Sequence, residues 1–171
     1  VDLVGLLVDT VADARAAGPD HDWQLDLAVL EPPADATPEE AEDFLPEPPL
    51  VIGDEARLRH VVVNLLANAR VHTPAGSHVT TTLAREGDTL IVRIHDDGPG
   101  IAPDVRDRLF ERFARGDSSR ERRTGSTGLG MSIALAIVQS HGGSIDVDSS
   151  TAPEYHGTTF SVRLPAAAVE E

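Results

Sequence analysis

The spacing of apolar residues divides the chain into helical and extended stretches. In residues 2–16, DLVGLLVDTVADARA, the side chains of Leu3, Leu6, Leu7, Val11 and Ala14 share one helical stripe, and Gly18-Pro19-Asp20 breaks it. Residues 23–30, WQLDLAVL, alternate as a strand does, starting at Trp23. Residues 50–53, LVIG, read as a brief strand, and Asp54 as the N-cap of a helix on which Leu58, Val61, Val62, Leu65, Leu66 and Ala69 form one apolar stripe. That helix must stop near His72, because Thr73 precedes Pro74 and is pushed out of the α region. A hairpin follows, SHVTTTLAR and TLIVRIHD joined by the turn EGD. Residues 128–143, GLGMSIALAIVQSHGG, are apolar on most sides, which predicts a buried helix closed by Gly142 and Gly143. SIDVDSS and GTTFSVRLP supply two last strands. About three main helices and five or so strands, many antiparallel, predict an α+β fold. Its architecture is a two-layer α/β sandwich, a mixed and mostly antiparallel sheet with helices on one face, in a single domain over 1–171.

Two segments escape this patterning. Residues 31–49, EPPADATPEEAEDFLPEPP, hold six of the 12 prolines and seven carboxylates. Such a stretch buries too little apolar surface to offset its ordering entropy, so a mobile acidic loop is expected there, read first as a solvated insertion. Residues 98–127 are rich in Gly, Pro and Arg, with a short helix expected at 103–113.

Composition narrows the function classes. The chain has 171 residues, 40% of them hydrophobic and only 4% aromatic, so the core must be built from Val, Leu, Ile and Ala. A formal net charge of −15 argues against a nucleic-acid surface, which needs clustered cations. All 14 cationic residues are Arg, which removes any lysine-dependent mechanism. The absence of Cys excludes disulfides, thiolate nucleophiles and thiolate zinc sites. No apolar run approaches the roughly 20 residues that span a bilayer, and no signal-peptide pattern opens the chain, so a soluble polypeptide is expected.

Three short motifs carry candidate chemistry. Asn64 and Asn68 lie one turn apart at the edge of the apolar stripe of the 54–72 helix, where their amides either bond nearby backbone or face something polar. In HDDGPGIAP, residues 95–103, a strand runs into Asp96 and then Gly98-Pro99-Gly100. This is a plain turn, or a place where glycines let a ligand approach backbone. TGSTGLGM, residues 124–131, opens a helix with glycines, a geometry that offers backbone N–H groups to an anion. It is neither a Walker loop, which needs Lys, nor a dinucleotide fingerprint, which needs a preceding strand.

In this order the motifs resemble the ATP-binding domain of sensor histidine kinases, with wider relatives among the gyrase-type, heat-shock chaperone and mismatch-repair ATPases. The resemblance covers nearly the whole chain: an N box NLLANARVHT (64–73), a G1 box DDGPG (96–100), an F box RLFERFARGD (108–117) and a G2 box GSTGLGMSIA (125–134). It implies the Bergerat-type ATP-binding fold, with an ATP lid over 101–127 that carries seven of the 14 arginines. It implies that Asp96 accepts a hydrogen bond from the adenine amine and so selects ATP over GTP, which presents an acceptor there. Asn68 would supply an oxygen to Mg²⁺, with Asn64 on the same face as a catalytic-site residue. Gly98, Gly100 and Ile101 would wrap the nucleotide. Gly128, Leu129 and Gly130 would bring backbone donors to the phosphates, and Arg115 of the lid would reach the γ-phosphate. Phe110 and Phe113 would anchor the lid or serve as ordinary core contacts.

Departures from the family pattern matter as well. Many kinases carry Lys-Tyr where this chain has Val71-His72, so the lysine contact to phosphate is missing, and His72 would either take the tyrosine's place near the sugar or adenine or be a solvated helix cap. Arg70, one place earlier, points about 100° away on the wheel. Gyrase-type hydrolases place a Glu base where Asn64 stands, and an amide cannot take a proton at neutral pH, so transfer is favoured over hydrolysis. A serine-kinase relative and a non-catalytic nucleotide-sensing module are the other readings. None of the seven histidines lies in the His-Glu context of a phosphoacceptor. The implied partners are therefore a separate dimerisation and phosphoacceptor helical hairpin of the parent protein, and a response regulator. The fragment is expected to be monomeric, in the cytoplasmic part of an inner-membrane-anchored homodimeric sensor, with no membrane contact of its own.

Overall fold

The computed structural model describes residues 1–102 and 128–168. Helix α1 (Leu3–Ala17) starts on Asp2, whose carboxylate accepts the Val4 N–H at 2.9 Å, and buries Leu3, Leu6, Leu7, Thr10 and Val11. Ala14, expected on the same stripe, is only half-buried, while Thr10 takes a core place by bonding its hydroxyl to the Leu6 carbonyl at 2.8 Å. Helix α3 (Glu55–Val71) runs between the expected ends, N-capped by Asp54 and C-capped by His72, and all six residues of its predicted stripe are buried. Between them lies the short helix α2 (Pro38–Glu42).

Among the described residues five strands form one sheet in the order β1-β2-β3-β5-β4. β1 (Asp22–Asp26) runs parallel to β2 (His78–Glu86); β3 (Thr89–Asp96), β5 (Tyr155–Pro165) and β4 (Ser144–Ala152) complete it with antiparallel pairs. Register carries the core across the strands: Leu83, Val92, Val162 and Ile145 stand in one row, and Ile94, Phe160 and Val147 in the next. These rows share one cluster with the buried stripes of α1 and α3 and with Met131, Ala134 and Val138 of helix α4 (Gly128–Ser140). The other face of the central strands presents Thr80, Thr82, Arg93, His95 and Thr159, half-buried or exposed, with Ile91 as a buried exception. The α+β two-layer expectation therefore holds, with a mixed sheet.

Four local expectations need correction. The strand expected over 23–30 ends at Asp26 and becomes a 3-10 turn over Ala28–Leu30, closed by Leu30 N–H to the Leu27 carbonyl at 3.0 Å. β1 pairs only with His78–Thr82, so beyond Asp26 no ladder holds the chain extended, and Val29 turns into the core instead. LVIG is not a strand: Leu50 makes a single bridge to Asp2, and Val51 N–H reaches the Val1 carbonyl at 2.9 Å. The acidic segment 31–49 contains α2, which a capping box nucleates. Thr37 Oγ1 accepts the Glu40 N–H at 3.3 Å while Glu40 Oε2 accepts the Thr37 N–H at 2.7 Å, and the Thr37 backbone N–H, helped by its hydroxyl, holds the Glu40 carboxyl below its ordinary range. Finally, α4 is not buried all round, since Ile133 and Ala136 are exposed, and it ends at Ser140. Gly142 adopts φ +77 just beyond its end, as a C-terminal glycine does.

Candidate nucleotide site

The N box, the G1 box and the end of β5 meet at one end of the sheet. Asp96 is the last residue of β3, in register with Thr158 of β5 and Val79 of β2. It is 8% exposed, a charged side chain among buried neighbours. Burial pushes its carboxyl above the ordinary aspartate range. The Gly98 backbone N–H, the His95 ring and the Thr158 backbone N–H pull it down, while Asp97 adds to the rise. Gly98 N–H donates to Asp96 Oδ1 at 3.0 Å, folding the turn back on its acid.

A cleft of about 320 Å³ opens beside this carboxylate, lined by Asn68, His72, Asp96, Gly100, Ile101, Ala102 and Thr158. Five of the sequence candidates, Asn68, His72, Asp96, Gly100 and Ile101, thus share one cavity. Asn64 lies one turn before Asn68 on α3 and, like it, is half-buried. His72 caps the helix and is exposed at the cleft's edge. Arg70 is turned away, its guanidinium donating to the Ala17 carbonyl at 3.2 Å at the end of α1.

Two glycines have steric reasons to be where they are. Gly100 adopts φ +80, and a Cβ there would lie 2.0 Å from the Ser150 carbonyl oxygen. A Cβ at Gly98 would lie 2.6 Å from the Thr73 methyl group. The turn is tied to β4 as well, with Ile101 N–H donating to Ser149 Oγ at 2.7 Å.

Gly128, Leu129 and Gly130 form the first turn of α4, which packs against α3, so the G2 box is helical from Gly128 onward. Arg115, the expected helix at 103–113, Phe110, Phe113 and the body of the 101–127 lid lie outside the described residues. Sequence reasoning missed Thr158 as a pocket residue and Thr73 as the wall behind Gly98. GTTF read only as a strand, and nothing local marks which strand residue will stand opposite a buried acid. Thr73 was in view, at the end of the N box, but only its place before proline was used.

Among the described residues no three His, Asp or Glu gather to hold a metal. The cleft offers the neutral amide of Asn68 instead, a set that suits an ion bound mainly through phosphate and water, as Mg²⁺ is.

The buried acid at a strand end, the asparagine helix beside it and the glycine turn between them define the ATP-binding class of fold. The chain belongs to the histidine kinase-, DNA gyrase B- and HSP90-like ATPase family, whose model matches residues 53–168. Among curated relatives it is 49% identical over 165 residues to the probable sensor histidine kinase TcrY of Mycobacterium tuberculosis, covering 96% of this chain and 30% of that protein. It is 38% identical over 170 residues to the sensor histidine kinase TrcS of the same organism, covering 96% of this chain and 29% of TrcS. The chain thus spans about 30% of the length of these relatives. Among solved structures it is similar to the mycobacterial sensor histidine kinase MprB, with a TM-score of 0.73, 29% identity and 99% of each chain covered. It is also similar to full-length ShkA in complex with AMPPNP, with a TM-score of 0.69 and 26% identity over 100% of this chain and 31% of that one. Among the described residues no helix is long and apolar enough to cross a membrane.

Proposed function

We propose that this chain is the catalytic domain of a sensor histidine kinase, binding Mg-ATP in the Asp96 cleft and donating its γ-phosphoryl group to a histidine on a separate helical hairpin. The observation that carries this reading is the buried Asp96 carboxylate facing a cavity that Asn68, His72, Gly100 and Thr158 share. A buried acceptor at that place pairs with the exocyclic amine of adenine and is left unpaired by the guanine carbonyl, which costs about 1–3 kcal/mol. Asn68 would bind Mg²⁺ through its amide oxygen, with Asn64 alongside, and the ion when bound neutralises charge on the phosphate oxygens. Neutral amides suit that position, since carboxylates there would repel the triphosphate. Backbone N–H groups from Gly128 to Gly130 would receive the phosphates, and Arg115 would meet the γ-phosphate.

In the transfer itself, an imidazole nitrogen of the partner histidine forms a bond to the γ-phosphorus as the bond to the β,γ-bridging oxygen breaks. ADP leaves with that oxygen. The chain's contribution is positioning and charge neutralisation. The phosphoryl group then passes to a response regulator, and the chain acts as one part of a longer, membrane-anchored, dimeric sensor.

Incubation with ATP labelled at the γ-phosphate tests the reading. The chain alone should incorporate no label, and adding a helical phosphoacceptor segment of the sensor histidine kinase type should yield acid-labile label on that segment. Release of inorganic phosphate at the same rate with and without the segment, with no labelled histidine, would contradict it.

A further inference from the structure

The turn 96–100 is a wall between two clefts, and the second one shows how the wall is held. On one side lies the cavity of Asp96, Gly100 and Thr158; on the other a cleft of about 570 Å³ is lined by Pro74, Asp97, Gly98, Pro99, Thr151 and His156. The peptide units of Gly98 are fixed from three directions. Its N–H donates to Asp96 Oδ1 at 3.0 Å, and its carbonyl lies 2.6 Å from His156 Nδ1. A carbonyl can only accept, so Nδ1 carries the proton. The third side is the Thr73 methyl group, which leaves no room for a Cβ on Gly98. Thr73 is itself anchored: its hydroxyl proton goes to the Ala69 carbonyl at 2.6 Å, so His21 Nε2, at 2.8 Å, donates to its oxygen.

We infer that His156 is a positioning residue of the nucleotide site, acting through the Gly98 carbonyl to fix the turn whose N–H orients Asp96. The reasoning runs from register. β5 passes so close to β3 that a Cβ at Gly157 would lie 2.4 Å from the Asp96 carbonyl oxygen, and Thr158 stands opposite Asp96. His156 is therefore brought over the turn by the same strand that supplies Thr158 to the cavity. A carboxylate has about four lone-pair sites. The Gly98 and Thr158 amides each take one, so the direction left for a ligand's donor depends on where the Gly98 peptide sits. His156 borders the far cleft rather than the cavity, and acts only through backbone.

This inference rests on the nucleotide-binding reading for its effect on affinity, but the clamp has a readout of its own. His156→Leu removes the donor, while His156→Gln retains a side-chain N–H. Three quantities would be measured on each variant: hydrogen exchange of the Gly98 amide without nucleotide, dissociation constants for ATP and GTP, and the thermal midpoint. His156→Leu should speed Gly98 exchange and weaken ATP binding, each by about five- to tenfold for one lost hydrogen bond, narrow the preference over GTP, and leave the midpoint near wild type. The Gln variant should restore both exchange and affinity. Wild-type exchange and affinity in the Leu variant would overturn the inference, as would equal losses in Leu and Gln. If the wild-type chain binds no ATP, the proposed function fails, and the clamp stands or falls on Gly98 exchange alone.

Discussion

Asp96 carries most of the proposed chemistry and also a cost. Burial raises its native carboxyl pKa above the unfolded value, so the native state keeps the proton to higher pH. Its contribution to stability is therefore fully present below the unfolded pKa and is lost as pH rises through the raised native one. At neutral pH the domain holds a carboxylate that the fold disfavours, as binding sites commonly do. Asp96→Asn should accordingly raise the thermal midpoint of the nucleotide-free domain at pH 7, an outcome that differential scanning calorimetry reads directly. The proposed adenine contact needs the ionised form, so ATP affinity should fall as pH is lowered through the raised carboxyl pKa, which calorimetric titration across pH would read. Gly100 makes a different demand. With φ +80 and the Ser150 carbonyl 2.0 Å from where a Cβ would be, Gly100→Ala should cost about 1–3 kcal/mol in urea unfolding, and more if β4 must shift. Asp96 and Gly100 stand out in the sequence only through the order of the motifs and the family it resembles, since Asp-Gly-Pro-Gly alone reads equally as a plain turn. Thr158 and His156 do not, because the contacts that matter join residues about 60 positions apart and depend on register.

At the scale of elements, what the sequence made plain was whatever repeats along one helix face. The α3 stripe and both caps could be read because Asp54, the apolar spacing and the Thr73-Pro74 stop all lie within one local run. The shortened β1 and the exposed side of α4 could not, since each depends on how far a neighbour extends. A long-range tie unseen in the sequence also holds the start of α3. Asp54 N–H donates to His141 Nε2 at 3.1 Å, while His141 Nδ1, at 2.7 Å from the Ile137 carbonyl, donates there. Gly53 is required beside it, because a Cβ would lie 2.2 Å from the His141 ring. The imidazole thus joins the end of α4 to the N-terminus of α3, behind the N box. His141→Leu should destabilise the domain by about 1–2 kcal/mol and expose the Asp54 amide to faster hydrogen exchange. Unchanged exchange at that amide would show that the helix start is held by its Asp54 cap alone.

Across the whole molecule, the sheet and its three long helices serve to bring three distant segments to one end. β3 ends at Asp96, α3 ends at Val71 with its cap His72 beside the same cleft, and β5 runs past both. Among the described residues the core that fixes them contains no polar aromatic beyond Trp23, whose indole N–H reaches the Gly18 carbonyl at 2.7 Å. The site therefore stands on a framework of mostly aliphatic packing. The central claim is that this end of the sheet is an adenine-nucleotide site organised by Asp96. Calorimetric titration of the chain with ATP and with GTP, each with and without Mg²⁺, alongside Asp96→Asn, tests it most directly. The account predicts magnesium-dependent ATP binding that is weak for GTP and lost in the variant. A folded wild-type chain that binds neither nucleotide, or an Asn variant that binds ATP as the wild type does, would contradict it.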